Sequence, residues 1–136
     1  MNEVFLDAAY AIALSSPRDK YHEAAVTLAK RLEESDTKLI TTRAVLLEIG
    51  NALSKKRFRI AATQLLISLE IDPNIEIVPL TDQLYIRALQ LFRERLDKDW
   101  GLVDCISFVV MNDRDLQQVL TADIHFQQAG FEVLLK

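Results

Sequence analysis

Along this chain, short apolar runs alternate with segments whose apolar residues recur at helical spacing. That alternation favours a parallel sheet covered by helices, because parallel strands need long crossovers and helices supply them. Residues 3–6 read as a first strand and residues 8–15 as a helix broken by Ser16-Pro17. Residues 19–35 place Tyr21, Ala25, Leu28, Ala29 and Leu32 at a helical period. Leu39-Ile40-Thr41 is a short strand, and residues 43–57 and 60–70 read as helices. Asp72-Pro73-Asn74 is a turn, and Ile75 to Pro79 alternates as a strand whose end or edge position the proline marks. Thr81 with Asp82 can cap a helix over 82–96, and residues 102–112 form a mostly apolar helix. Gln118 to Thr121 is a strand, and Gly130 marks a turn before a last strand, Glu132 to Leu135. The expected architecture is a three-layer α/β/α domain around a roughly five-stranded parallel sheet.

The 136 residues fit one domain, taken as 1–136, and three Gly and three Pro leave little room for flexible linkers. Half of the residues are hydrophobic, enough for a proper core, so disorder is not expected. No apolar run reaches the roughly 18 residues of a membrane span. Met1-Asn2-Glu3 lacks the basic start and cleavage site of a secretory signal. The single Cys105 excludes an internal disulfide and fits a reducing cytoplasm. A net charge of −4 argues against a protein that coats nucleic acid generally. It leaves room for an acidic centre balanced by a local basic patch. From Ile49 to Leu69 there is no acid, yet Lys55, Lys56, Arg57 and Arg59 cluster there. Such a cluster can hold phosphates, or can be a solvated helix end where cations favour the dipole.

Four carboxylates sit in apolar surroundings. Asp7 ends Val4-Phe5-Leu6, Glu48 lies within Val45 to Ile49, Asp104 within Leu102 to Ile106, and Asp123 follows Val119 to Ala122. A carboxylate among such neighbours is costly to bury alone, and four together repel. A divalent cation removes both problems, and oxygen ligands select Mg2+ or Mn2+. In open parallel sheets the binding crevice lies beyond the carboxyl ends of the strands. Asp7 and Asp123 each follow a strand there and face one another if those strands are neighbours. Glu48 and Asp104, near helix starts, can point at the same crevice.

The residues carrying this pattern are Phe5-Leu6-Asp7; Thr41-Thr42 ahead of Leu47-Glu48-Ile49-Gly50-Asn51-Ala52-Leu53; Lys98-Asp99-Trp100-Gly101-Leu102-Val103-Asp104-Cys105-Ile106-Ser107-Phe108; and Leu120-Thr121-Ala122-Asp123-Ile124-His125-Phe126 before Ala129-Gly130-Phe131. In order and spacing they resemble the PIN-domain family, and within it the VapC-like toxins of bacterial toxin–antitoxin pairs. The resemblance covers nearly the whole chain. It implies a metal-dependent endoribonuclease whose acidic positions fall here on Asp7, Glu48, Asp104 and Asp123. Asp7 and Asp123 would be direct ligands, Asp104 a ligand directly or through water, and Glu48 a holder of a second ion or of the attacking water. The resemblance also implies a cognate antitoxin that masks the crevice, and a homodimer. The pattern departs at Ala8-Ala9, and at Gly101 and Val103, where hydroxyl or amide groups are often found. These changes remove hydrogen bonds that would steady the ligands.

Each residue also has a plain structural reading. Asp7 can be a helix cap, Asp123 can cap a turn at Ile124-His125, Asp104 can favour a helix start, and Glu48 can be a surface residue, weakly so among its apolar neighbours. Jointly these readings leave the shared pattern unexplained. Asn51, one turn after Glu48, can hydrogen-bond the site or pack. Thr121 lies two residues before Asp123 on the same strand face and can orient that carboxylate. Thr42 can touch the site or cap the helix that follows, and Asp99 belongs to a helix start or touches a metal-bound water. His22 and His125 are expected at the surface or in packing, since zinc-ligand spacing is missing. Cys105 is expected buried and inert, and Trp100 in the core. Leu65, Leu66 and Leu69 form a stripe that suits the core or a homodimer seam.

Two other readings compete. A non-catalytic binding module would keep the fold and lose activity, as Ala8-Ala9 and Gly101 favour. A phosphate-accepting receiver domain would need paired acids after the first strand and a lysine after a late one. Asp7 is followed by Ala8-Ala9 and Asp123 by Ile124, so the receiver reading is poor.

Overall fold

A computed structural model describes residues 3–136; Met1 and Asn2, on which the reading of the chain start falls, lie outside the described residues. Five strands, β1 (Glu3–Leu6), β2 (Lys38–Thr42), β3 (Ile75–Val78), β4 (Gln118–Leu120) and β5 (Glu132–Val133), form one sheet in the order β3-β2-β1-β4-β5. Every pairing is parallel. The central strands are buried on both faces, with Phe5, Ile40 and Val119 fully enclosed, which is why they read as continuous apolar runs rather than alternating ones.

Seven helices make the crossovers: α1 (Ala8–Ser15), α2 (His22–Glu34), α3 (Arg43–Ala52), α4 (Arg59–Ile71), α5 (Asp82–Glu94), α6 (Leu102–Asp113) and α7 (Ile124–Gln128). The chain runs from β1 through β2 to β3, then returns past β1 to lay down β4 and β5. Right-handed crossovers therefore put α1 to α4 on one face and α5 to α7 on the other. Helix neighbours agree: α1 packs on α2, α3 and α4, while α5 packs on α6 and α6 on α7. The three-layer α/β/α architecture expected from the alternation is the one found. The direction of strand addition reverses between β1 and β4, and the carboxyl end of the sheet at such a switch point is where open parallel sheets form their binding crevice.

Several boundaries differ from the sequence reading. The helix expected over 43–57 ends at Ala52, because Ser54 to Arg57 offers no apolar side chain to bury; a single 3₁₀ turn, Lys56–Phe58, leads into α4. The last strand is two residues rather than four, although Leu134 and Leu135 still donate to Val119 and Thr121 carbonyls. The segment 124–128 folds as α7, where only a turn was expected. Among the described residues no helix is long and apolar enough to cross a membrane.

Candidate functional site

Asp7 follows β1, and the register that pairs Leu6 with Leu120 sets it beside Thr121, the residue after β4. It occupies the N-cap position of α1 with extended backbone, yet its side chain makes no cap bond. Instead the Thr121 hydroxyl donates to Asp7 Oδ2 at 2.8 Å. The same hydroxyl accepts the Asp123 backbone N–H at 3.2 Å, so one side chain links the two strand-end acids. Only 5% of Asp7 is exposed. Burial pushes its pKa up to about 7; the Thr121 hydroxyl opposes the rise, and the charges of Glu48 and Asp104 add to it.

Glu48 lies mid-way along α3, half-buried between the enclosed Val45 and Ile49. Burial raises its pKa, with further contributions from Asp104 and Asp123. Asp104 sits in the first turn of α6, which meets α3 across the sheet end. Its Oδ2 accepts the Gly101 N–H at 3.1 Å, the role of an acid at a helix start. Burial raises its pKa as well, opposed by the Gly101 N–H and His125 and assisted by Asp123. Asp123 is the N-cap of α7, with Oδ1 accepting the His125 N–H at 2.9 Å. Two of the four acids thus also perform the capping duties of the plain reading.

The acids still feel one another: Asp7 feels Glu48 and Asp104, Glu48 feels Asp104 and Asp123, and Asp104 feels Asp123. Among the described residues no lysine or arginine pairs with any of the four. The arginines near the sheet pair elsewhere, Arg43 with Glu70, Arg87 with Asp113 and Arg114 with Glu76. A crevice with this charge density and no lysine or arginine partner invites a cation. The donor set fits one: ligand atoms of Asp104, Asp123 and His125 lie within 4.8 Å of one another. Asp7 and Glu48 border that group without being part of it.

His125, expected at the surface or in packing, stands half-buried beside two of the acids. Its Nδ1 stands 3.1 Å from Asp104 Oδ2 and 3.5 Å from Asp123 Oδ1. A lone histidine in an unrecognised short helix carried no signal; its place one turn-start after Asp123 could have offered one. The next residue, Phe126, explains the placement. It is fully buried, with its ring 4.9 Å from Phe108 and 6.5 Å from Phe5, so α7 is pinned to the core and its first turn faces the crevice. Trp100 is buried before α6 and donates its Nε1–H to Gln128 at 3.0 Å, tying the entry of α6 to α7.

The remaining candidates divide. Thr42 is buried and its hydroxyl accepts the Val45 N–H at 3.1 Å, capping α3. Thr41, which sequence reasoning did not single out, donates to the Leu6 carbonyl at 2.8 Å and fixes β2 against the strand that presents Asp7. Asn51 and Asp99 are exposed and, among the described residues, hydrogen-bond none of the acids; Asp99 precedes α6 rather than belonging to it. Lys55, Lys56, Arg57 and Arg59 are exposed beyond the end of α3, with Arg59 donating to the Ser54 carbonyl and Arg57 lying over Phe58. His22 donates its Nδ1–H to the Ala13 carbonyl at 2.8 Å, remote from these groups. Cys105 is buried and its thiol is pushed up to about 11 by burial and by Asp104, which keeps it unreactive.

An all-parallel α/β domain with an acid-lined crevice at its switch point defines a class of proteins that act on, or bind, ligands at strand ends. Residues 4–132 match the PIN domain family model, and the chain belongs to the PIN domain family, a nuclease family. Among solved structures it is similar to VapC20 of Mycobacterium tuberculosis, described as a sarcin–ricin loop cleaving toxin. The two share 25% identity over 94% of this chain and 95% of that one, with a TM-score of 0.82. FitAcB from Neisseria gonorrhoeae shares 17% identity over 96% of each chain, with a TM-score of 0.69. DNA-bound VapBC from Salmonella typhimurium shares 17% identity over 98% of this chain and 97% of that one, with a TM-score of 0.66. The last two likenesses bear on the fold alone. No curated protein matches the chain by sequence.

Proposed function

We propose that this chain is a metal-dependent endoribonuclease, the toxin of a toxin–antitoxin pair. The observation that carries the reading is the close pair Asp104 and Asp123, bordered by Asp7 and Glu48, with no lysine or arginine among the described residues paired to any of them. The likeness to VapC20, described as a sarcin–ricin loop cleaving toxin, supports the same reading. Asp7, Asp104 and Asp123 would hold Mg2+ or Mn2+, with Glu48 beside them. The cation would supply Lewis acidity at a phosphoryl oxygen and at the attacking water. Glu48, half-buried on α3, would orient that water for in-line attack. Thr121 would hold the Asp7 carboxylate in place and, through the Asp123 N–H, align the two strand ends. Lys55, Lys56, Arg57 and Arg59 would bind flanking phosphates. We take residues 1–136 as one domain acting in the cytoplasm as a homodimer, with a cognate antitoxin covering the crevice.

A second reading, a binding module without activity, draws support from Ala8-Ala9 and from the capping bonds of Asp104 and Asp123. Incubating purified protein with a mixed cellular RNA pool separates the two. The nuclease reading expects cleavage with Mn2+ or Mg2+ that chelator and Asp7→Asn both abolish. Equal silence of wild type and variant with every metal and RNA supplied would favour the binding module.

A further inference from the structure

We infer that His125 is itself a ligand, so that Asp104, Asp123 and the imidazole Nδ1 form a mixed oxygen–nitrogen triad favouring Mn2+ over Mg2+. This rests on the metal-dependent reading above and gives it a particular ion. Two ligands at right angles on one ion, each about 2.1 Å away, stand about 3 Å apart. The Nδ1 separations of 3.1 Å from Asp104 and 3.5 Å from Asp123 are close to that spacing. The ring is also held there. Asp123 caps the turn that begins with His125, and Phe126 locks that turn into the aromatic core. Ligand and neighbouring ligand are thus fixed by one short element rather than by separate loops. Half-burial leaves the ring within the crevice but open to an entering ion.

The chemistry of the third donor decides selectivity. Mg2+ takes oxygen ligands and keeps several waters, whereas imidazole suits the later divalent ions and Mn2+ accepts both kinds. A nitrogen donor among the carboxylate oxygens therefore shifts preference away from Mg2+. It also compensates for Ala8-Ala9, which bring no polar side chain beside Asp7. If His125 only hydrogen-bonded Asp104 from outside, it would steady binding of either ion without choosing between them.

The test uses the whole chain, stripped with chelator and reloaded with Mn2+. Pulsed electron paramagnetic resonance then reads whether a nitrogen is bonded to the manganese. The expected result is coupling from a directly bonded 14N that changes on 15N-histidine labelling and disappears in His125→Gln. Calorimetry should show that variant losing at least about tenfold in Mn2+ affinity, the lower bound seen when even outlying partners of a ligand are removed. Its Mg2+ affinity should fall much less. Bound manganese without nitrogen coupling in the wild type would overturn the inference while leaving the metal-dependent reading intact, as would equal losses for both ions in the variant. Failure of the wild type to bind manganese would overturn both.

Discussion

At Asp7, stability and proposed function pull in opposite directions. Its carboxyl has a pKa of about 7 in the fold against 3.8 when free, chiefly because it is buried. Below pH ~4 it is protonated in both folded and unfolded chains, and the neutral form's contribution to stability is fully present. That contribution is lost as pH rises through about 7, since the unfolded chain ionises first. Metal-free protein should therefore weaken between those limits, by up to ~4 kcal/mol from this group. Asp7→Asn should melt higher than wild type at pH 8, match it near pH 4, and lose the rise in Tm that Mn2+ gives the wild type. A variant less stable at pH 8 would contradict this account; thermal melts at the two pH values decide it. Ser107 offers a simpler case. It is buried in α6, and its hydroxyl is the one buried side-chain polar atom among the described residues without a partner. Ser107→Ala should stabilise by about 1 kcal/mol, seen as a higher urea midpoint at unchanged slope. The four acids were legible because a charge inside an apolar run is anomalous. Thr121 was legible only as a neighbour of Asp123: period-two alternation put it on the right face but could not say that its hydroxyl is given to Asp7, across a strand pairing. His125 was illegible because nothing local marks a histidine as facing acids on other elements.

Among the elements, the strands and long helices followed from periodicity, while their ends did not. Apolar spacing says which residues can be buried, and a helix stops where burial stops, as α3 does at Ala52 before the polar run Ser54 to Arg57. The five-residue α7 is too short to show a period and owes its existence to Phe126 and the Asp123 cap. Its anchoring gives a sharp prediction. Phe126→Ala should cost about 3–5 kcal/mol, because it empties a site between Phe5 and Phe108. Thr42→Ala, which removes one cap bond from α3, should cost only about 1 kcal/mol. Denaturant titration of the two variants checks the ranking, and a Phe126→Ala loss no larger than that of Thr42→Ala would mean that α7 is held by something else.

For the whole molecule, the net charge is −4 while an exposed basic run follows α3, and under the proposed function that run would be the part that meets RNA. Reversing Lys55, Lys56, Arg57 and Arg59 should weaken RNA binding and flatten its dependence on salt, by about 3 in the slope of log K against log salt for four lost phosphate contacts on a single strand. Fluorescence anisotropy across a salt series measures it, and an unchanged slope would remove the cluster from the binding surface. The layered fold was legible in the sequence because alternating elements admit few topologies. That β4 would return to the side of β1, and so create the crevice, is a choice among those few and comes from packing over the whole chain. It sets an order in time. Asp7 and Thr121, joined by a hydrogen bond, are 114 residues apart. While a ribosome is still making this protein, the emerging chain presents Asp7, then Glu48, then Asp104, yet has no centre until β4 docks beside β1. The proposed activity, built this way, would stay latent until the 114 residues that separate Asp7 from Thr121 had been made and β4 had docked.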